Sequence, residues 1–225
     1  MRKTLFSGIA ACLFATAATA AEQSPSVIWT VGQADRSASE FALAPDRFRD
    51  FLANDFGYED KYFLVGHSVP AADFPYVLPG PADTWGGTWP TSGWRTHQVN
   101  ILFGLKEIPS DGTCTLVVDL LDYAKNFLPL VKVSVNTQDA KFQLDAPGLC
   151  VADQRKPNQM EKIVDTLSIT GNLAKATPRR LEIPIRPGVL KAGGNEVTIT
   201  VLEGSWILFD RVSLEGPAGT NVEQP

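Results

Sequence analysis

Cysteine and histidine are scarce in this chain, at three and two residues out of 225. His67 and His97 lie far apart, and neither HExxH nor CxxC occurs, so there is little material for a histidine-based catalytic centre or a zinc site. Basic side chains are also in the minority, with 20 Lys and Arg against 25 Asp and Glu and a net charge of -5. They form no stripe, which excludes a protein that tracks nucleic-acid phosphates. GxSxG, P-loop and Rossmann fingerprints are missing, which removes the common hydrolase and nucleotide-binding readings. Asp-rich calcium loops are missing as well. A structural Ca²⁺ held by backbone carbonyls and one carboxylate leaves no sequence signal, so no cofactor is expected and the metal content stays open. The chain does not lack a core: 44% of its residues are hydrophobic and its mean hydropathy is -0.03, which excludes disorder as the main state.

One apolar run is present near the N-terminus. Arg2 and Lys3 precede Leu5–Ala18, and Ala18-Thr19-Ala20 is a small-x-small cleavage site. The run is shorter than the roughly 20 apolar residues a spanning helix needs. Residues 1–20 are therefore expected to be a signal peptide, with cleavage near Ala20 and a secreted or periplasmic product; a lipoprotein signal at Cys12 is the weaker alternative. After cleavage Cys114 and Cys150 remain, and an even pair in an exported protein predicts a disulfide.

The body of the chain has a period of two. Val131, Val133 and Val135 alternate with Lys132 and Ser134, and Val197, Ile199 and Val201 alternate with Thr198 and Thr200. Further strands are predicted over 27–31, 61–65, 98–105, 113–121, 141–144, 166–170, 180–185 and 206–214. Gly and Pro punctuate them. One segment differs: Pro45 opens a stretch in which Phe48, Phe51 and Leu52 share a helical face, predicting one short helix near residues 45–56. Closely spaced strands without regularly interleaved helices predict an all-β sandwich over residues 27–216, followed by a flexible tail at 217–225.

The densest unusual segment runs from Asp73 to His97. It holds Trp85, Trp89 and Trp94 with Phe74 and Tyr76, stiffened by Pro75, Pro79, Pro81 and Pro90. Sugar rings have apolar C–H faces that stack on aromatic rings, and their hydroxyls need polar partners beside those rings. Tyr76, Trp85 and Trp89, with Asp83, Arg95 and His97, are thus the candidate carbohydrate-binding residues. The competing reading is that the indoles plug the end of the sandwich, and Trp94, which leads into a strand, fits that role best. Asp119, Asp122, Glu203 and Asp210 are scattered carboxylates whose pairing sequence cannot reveal. Asn136 reads as a turn residue, and Asp210 as a fold-fixing acceptor or a ligand contact.

In order and spacing these segments resemble the C-terminal, carbohydrate-binding-module-like domain of the rhamnogalacturonan lyases, domain III of polysaccharide lyase family four. The resemblance is carried by Trp29-Thr30-Val31-Gly32-Gln33-Ala34-Asp35, Phe63-Leu64-Val65-Gly66, Asp73-Phe74-Pro75-Tyr76-Val77 and Val99–Leu105. It continues through Leu130–Asn136, Leu190–Asn195 and Phe209–Glu215. It implies a jelly-roll β-sandwich of galactose-binding-like type, without the lyase domain that precedes it in that family. The function it implies is non-catalytic binding of a plant or algal polysaccharide of rhamnogalacturonan or pectin type, accessory to degradation. Two other functions compete: a stand-alone polysaccharide lyase or hydrolase, for which Lys61, Arg95 and His97 are the candidate charges, and a protein-interaction module within a polysaccharide-degrading system. The expected partners are a polysaccharide or oligosaccharide and a degradative enzyme.

Overall fold

The computed structural model describes residues 26–47, 61–83, 97–109, 113–145 and 168–223. These residues build two sheets. The first contains β1 (Ser26–Gly32), β3 (Val77–Leu78), β5 (Thr115–Tyr123), β8 (Arg179–Pro184) and β10 (Ile207–Gly216), in the order β1-β10-β5-β8 with β3 also on β10. The second contains β2 (Lys61–Leu64), β4 (Gln98–Leu105), β6 (Leu130–Val135), β7 (Gln138–Gln143), β9 (Gly193–Glu203) and β11 (Val222–Glu223). Its order is β11-β4-β9-β6-β7, with β2 running parallel to β4. The eight principal strands, four in each sheet, follow the jelly-roll order. The expected all-β sandwich is therefore the fold.

Alternation puts the β-branched and aromatic residues between the layers. Leu116, Val118, Leu181, Ile183, Val212 and Leu214 face inward from the first sheet. Val99, Ile101, Phe103, Val131, Val133, Val135, Val197, Ile199 and Val201 face them from the second. Trp29 joins the layers: its ring lies 5.2 Å from that of Phe103, while its indole N–H finds no partner among the described residues. β5 is buried along almost its whole length, because its outer face is covered as well.

Several expectations need correction. Within the segment predicted as a helix, the described residues hold only a 3-10 turn, Pro45–Arg47; positions 48–60 lie outside the description. A helical turn, α1 (Pro70–Asp73), forms instead where none was predicted. Pro70 starts it, and the Asp73 carboxylate accepts the Val69 N–H at 2.7 Å, which satisfies a donor at the helix entry. Residues 168–170 form a turn closed by Gly171 N–H to Ser168 C=O, not a strand, and Ile169 is buried there. The tail beyond 216 turns at Pro217 and returns to pair Val222 with Leu105 and Glu223 with Gly104. Cys114, expected to pair with Cys150, carries a free thiol buried against Gly216, and burial raises its pKa; Cys150 lies outside the described residues.

Candidate functional site

Tyr76 has no surface to offer a ligand. Its exposure is 0%, and its hydroxyl donates to the Ile169 carbonyl at 3.0 Å. Burial drives its pKa up. Asp83 is also buried; its carboxylate accepts the Gly80 N–H at 2.7 Å and the Ser205 hydroxyl. His97 is half-buried, with Nδ1 3.2 Å from the Pro79 carbonyl. Asp83 and His97 thus tie the two described ends of the aromatic segment to Pro79 and Gly80. Trp85, Trp89 and Arg95 lie outside the described residues.

The outer face of the first sheet carries a charge network. Arg211 meets Asp119 at 2.9 Å and Glu215 at 3.5 Å, and Arg180 meets Asp119 at 3.4 Å and Glu182 at 2.7 Å. Asp210 sits on the β10 bulge beside it. Its carboxylate accepts the Arg36 N–H at 3.1 Å, and it is only 7% exposed. Burial lifts its pKa to about 6, with Asp35 and Asp119 adding to the rise and the backbone N–H groups opposing it. One carboxylate is held by arginine and another is desolvated nearby, a combination that draws attention as acid–base chemistry. Both are buried and already bonded within the fold, so this cluster fastens the loop after β1 to the sheet. The fold-fixing role of Asp210 expected from sequence fits this arrangement.

The outer face of the second sheet is different. Register aligns Tyr62, Asn100, Thr198, Ser134 and Asp139 in one row across β2, β4, β9, β6 and β7. Tyr62 is 55% exposed at the end of that row. Thr198 donates to Asn100 at 3.0 Å, and Ser134 donates to Asp139 at 2.7 Å, so the row is stiffly bonded, with Asn100 buried beside the exposed Tyr62 and Thr198 and Ser134 partly exposed.

One residue pair farther along, Leu64 and Leu102 bring an apolar edge to the same face. Then Gly104 and Gly194 stand opposite each other. A side chain at neither position means a trough in the sheet surface. A groove of about 630 Å³ lies there, lined by Leu64, Leu102, Gly104, Gly194, Lys191, Glu196 and Glu223 among others. A Cβ placed on Gly194 meets no atom within 4 Å among the described residues. The groove exists because β2 and β11 share one edge of β4 without meeting: β2 covers Val99–Leu102, and β11 covers Gly104–Leu105.

The corner beside the groove is rigid. Asn136, in a left-handed conformation with φ 48°, donates to the Val189 carbonyl at 2.7 Å and to Asn195 Oδ1 at 2.9 Å. Its own oxygen accepts the Glu196 N–H at 3.0 Å. Asn195 in turn clips the Lys191 backbone through both its N–H and its C=O. The turn role expected for Asn136 is what these bonds perform. They position Lys191 and Glu196 on the groove rim.

The model of the CBM-like family "polysaccharide lyase family 4, domain III" matches residues 27–214. The chain belongs to this family. The match covers the eight principal strands except the first residue of β1 and the last two of β10, and it stops before β11, whose Glu223 lines the groove. No curated protein matches the chain. Among solved structures, similarity is found to a family GH115 4-O-methyl-α-glucuronidase, BtGH115A, with specificity for decorated arabinogalactans. The identity is 15% and the TM-score 0.31, over 52% of this chain and 13% of that one. Dimeric latent PorU from Porphyromonas gingivalis is similar at 10% identity and TM-score 0.30, over 64% of this chain and 12% of that one. This chain spans only about an eighth of the length of these two proteins.

Sequence reading missed Tyr62, Leu64, Gly104 and Gly194. Tyr62 is an ordinary strand residue by pattern. The one available signal was Gly104 inside the largely apolar strand Gln98–Leu105, a glycine that can mark close approach to the backbone.

Proposed function

We propose that this domain is a non-catalytic carbohydrate-binding unit, secreted or periplasmic, that holds a polysaccharide chain for a degradative enzyme. The observation that carries this reading is the groove over Gly104 and Gly194, with the exposed Tyr62 ring two residues along β2 from the lining residue Leu64. A sugar presents an apolar C–H face and a rim of hydroxyls. Tyr62, Leu64 and Leu102 provide the matching apolar area, and Lys191, Glu196 and Glu223 provide exposed polar groups. Membership of the CBM-like family supports binding as the activity. A plant or algal polysaccharide of pectin type is the ligand class the family suggests. His97, which precedes β4, is proposed as a further contact together with Trp85, Trp89 and Arg95, which lie outside the described residues.

Affinity electrophoresis against a set of plant and algal polysaccharides tests the reading. Gly194→Phe fills the groove from a position with space above it. It should abolish retardation while leaving thermal unfolding in place. Retained binding in Gly194→Phe together with loss in a Trp85→Ala/Trp89→Ala variant would move the site to the aromatic segment. Release of unsaturated, ultraviolet-absorbing products during incubation with rhamnogalacturonan would replace the binding reading with a lyase.

A further inference from the structure

Among the described residues, the groove is short of hydrogen-bond donors. The amides at its corner are committed: Asn136 and Asn195 bond each other, the Val189 carbonyl and the Lys191 backbone. Gly104 and Gly194 have their backbones paired across the β4–β9 ladder. Among the described side chains that line the groove and are exposed, Glu196 and Glu223 are acceptors when ionised, and Lys191 carries the donors. The net charge of the described lining is negative, and so is that of the whole chain at -5.

We infer that the groove over Gly194 takes an uncharged glycan segment that donates hydroxyl hydrogens to Glu196 and Glu223, and that it discriminates against carboxylate-bearing uronate chains. The inference rests on the glycan-binding reading above and, within the pectin-type class, selects neutral galactan or arabinan segments over the uronate backbone. A neutral sugar hydroxyl can donate to a carboxylate and accept from Lys191. A uronate carboxylate can only accept, so it can pair with Lys191 but meets the like charges of Glu196 and Glu223, two against one. Leu64, Leu102 and Tyr62 favour the same choice, since a neutral ring stacks on apolar surface without bringing a charge to be desolvated.

The test uses the full chain in titrations against neutral galactan, arabinan and xyloglucan, and against polygalacturonate, at low and high salt. Binding to at least one neutral polymer is expected, with polygalacturonate weaker by roughly ten-fold or more at low salt and gaining affinity as salt screens the repulsion. Glu196→Gln/Glu223→Gln keeps exposed amide oxygens as acceptors and removes both charges. It should narrow the selectivity ratio by roughly five-fold, chiefly by improving polygalacturonate binding. Polygalacturonate bound as well as or better than every neutral polymer, with affinity falling as salt rises, would overturn the inference and leave the glycan-binding reading standing. A selectivity ratio unchanged in the double variant would also overturn it. Failure to bind any of the four polymers would overturn both.

Discussion

Gly104 and Gly194 face each other across the β4–β9 ladder, and their missing side chains form the floor of the groove. Their roles are not equal. A Cβ on Gly104 would come within 3.1 Å of Glu223, the residue that closes that end, whereas one on Gly194 enters open space. Gly194→Ala is therefore expected to change stability by less than about 1 kcal/mol, with the β-strand gain offsetting any crowding. Gly32 makes the contrast. It has φ +81°, and a Cβ there would lie 2.6 Å from the Asp210 carbonyl and collide with the Phe41 ring. Gly32→Ala should cost about 3 kcal/mol or more from backbone strain and overpacking together. Denaturant midpoints of the two variants check this; equal midpoints would discard the account of both glycines.

Tyr62 and Tyr76 should separate binding from folding. Tyr62→Ala removes an exposed ring, so unfolding should stay within about 0.5 kcal/mol of the parent. Glycan affinity should fall roughly ten-fold, the scale of one aromatic stacking contact. Tyr76→Phe removes a buried hydroxyl and strands the Ile169 carbonyl, costing about 1–3 kcal/mol of stability without changing affinity. Calorimetric unfolding alongside titration of the same glycan distinguishes the two; an affinity loss in Tyr76→Phe at unchanged stability would contradict the burial of that ring.

Asp210 imposes a pH dependence. Its folded pKa of about 6 lies above the ordinary carboxylate value of 3.8, so the folded state holds the proton more tightly than the unfolded state. By linkage, its contribution to stability is greatest below about pH 4 and declines as pH rises to about 6. Asp210→Asn removes that decline. Relative to the parent, the variant should gain stability between pH 4 and pH 7. Melting temperatures of both proteins across this range give the difference, and a constant offset would show that Asp210 does not titrate as described.

Asp83 ties the base of the aromatic segment. Its carboxylate accepts from Gly80 and Ser205, and Gly80 itself is pressed against the carbonyls of Gly204 and Ser205. Asp83→Ala leaves those donors unpaired in a buried site and should cost about 2 kcal/mol. Hydrogen exchange should speed up first at Gly80 and Ser205. Unaltered exchange there with lost glycan binding would return Asp83 to the ligand contacts expected from sequence.

Much of the architecture is legible in the amino-acid order alone. Val131, Val133 and Val135 against Lys132 and Ser134 report a half-buried strand, because side chains on an extended chain alternate between faces with a fixed period. The same rule recovers most of β9, and apolar runs recover most of β4, β5 and β10, while the order of the motifs indicates the family. Tyr76 was misread because an aromatic among prolines and glycines looks like an exposed loop residue until the position of β10 beside it is known. Burial is decided by what packs on a residue, which no window of sequence contains.

The groove belongs wholly to the second category. Gly104 and Gly194 become neighbours only through strand register, and Tyr62 gains its place beside Asn100 only because β2 joins β4 in parallel. Alternation by itself determined which residues could face inward. Tertiary structure alone decided which outward faces would align into one surface and where that surface would be left hollow, because pairing between distant strands depends on the packing of the entire sandwich and on no local preference.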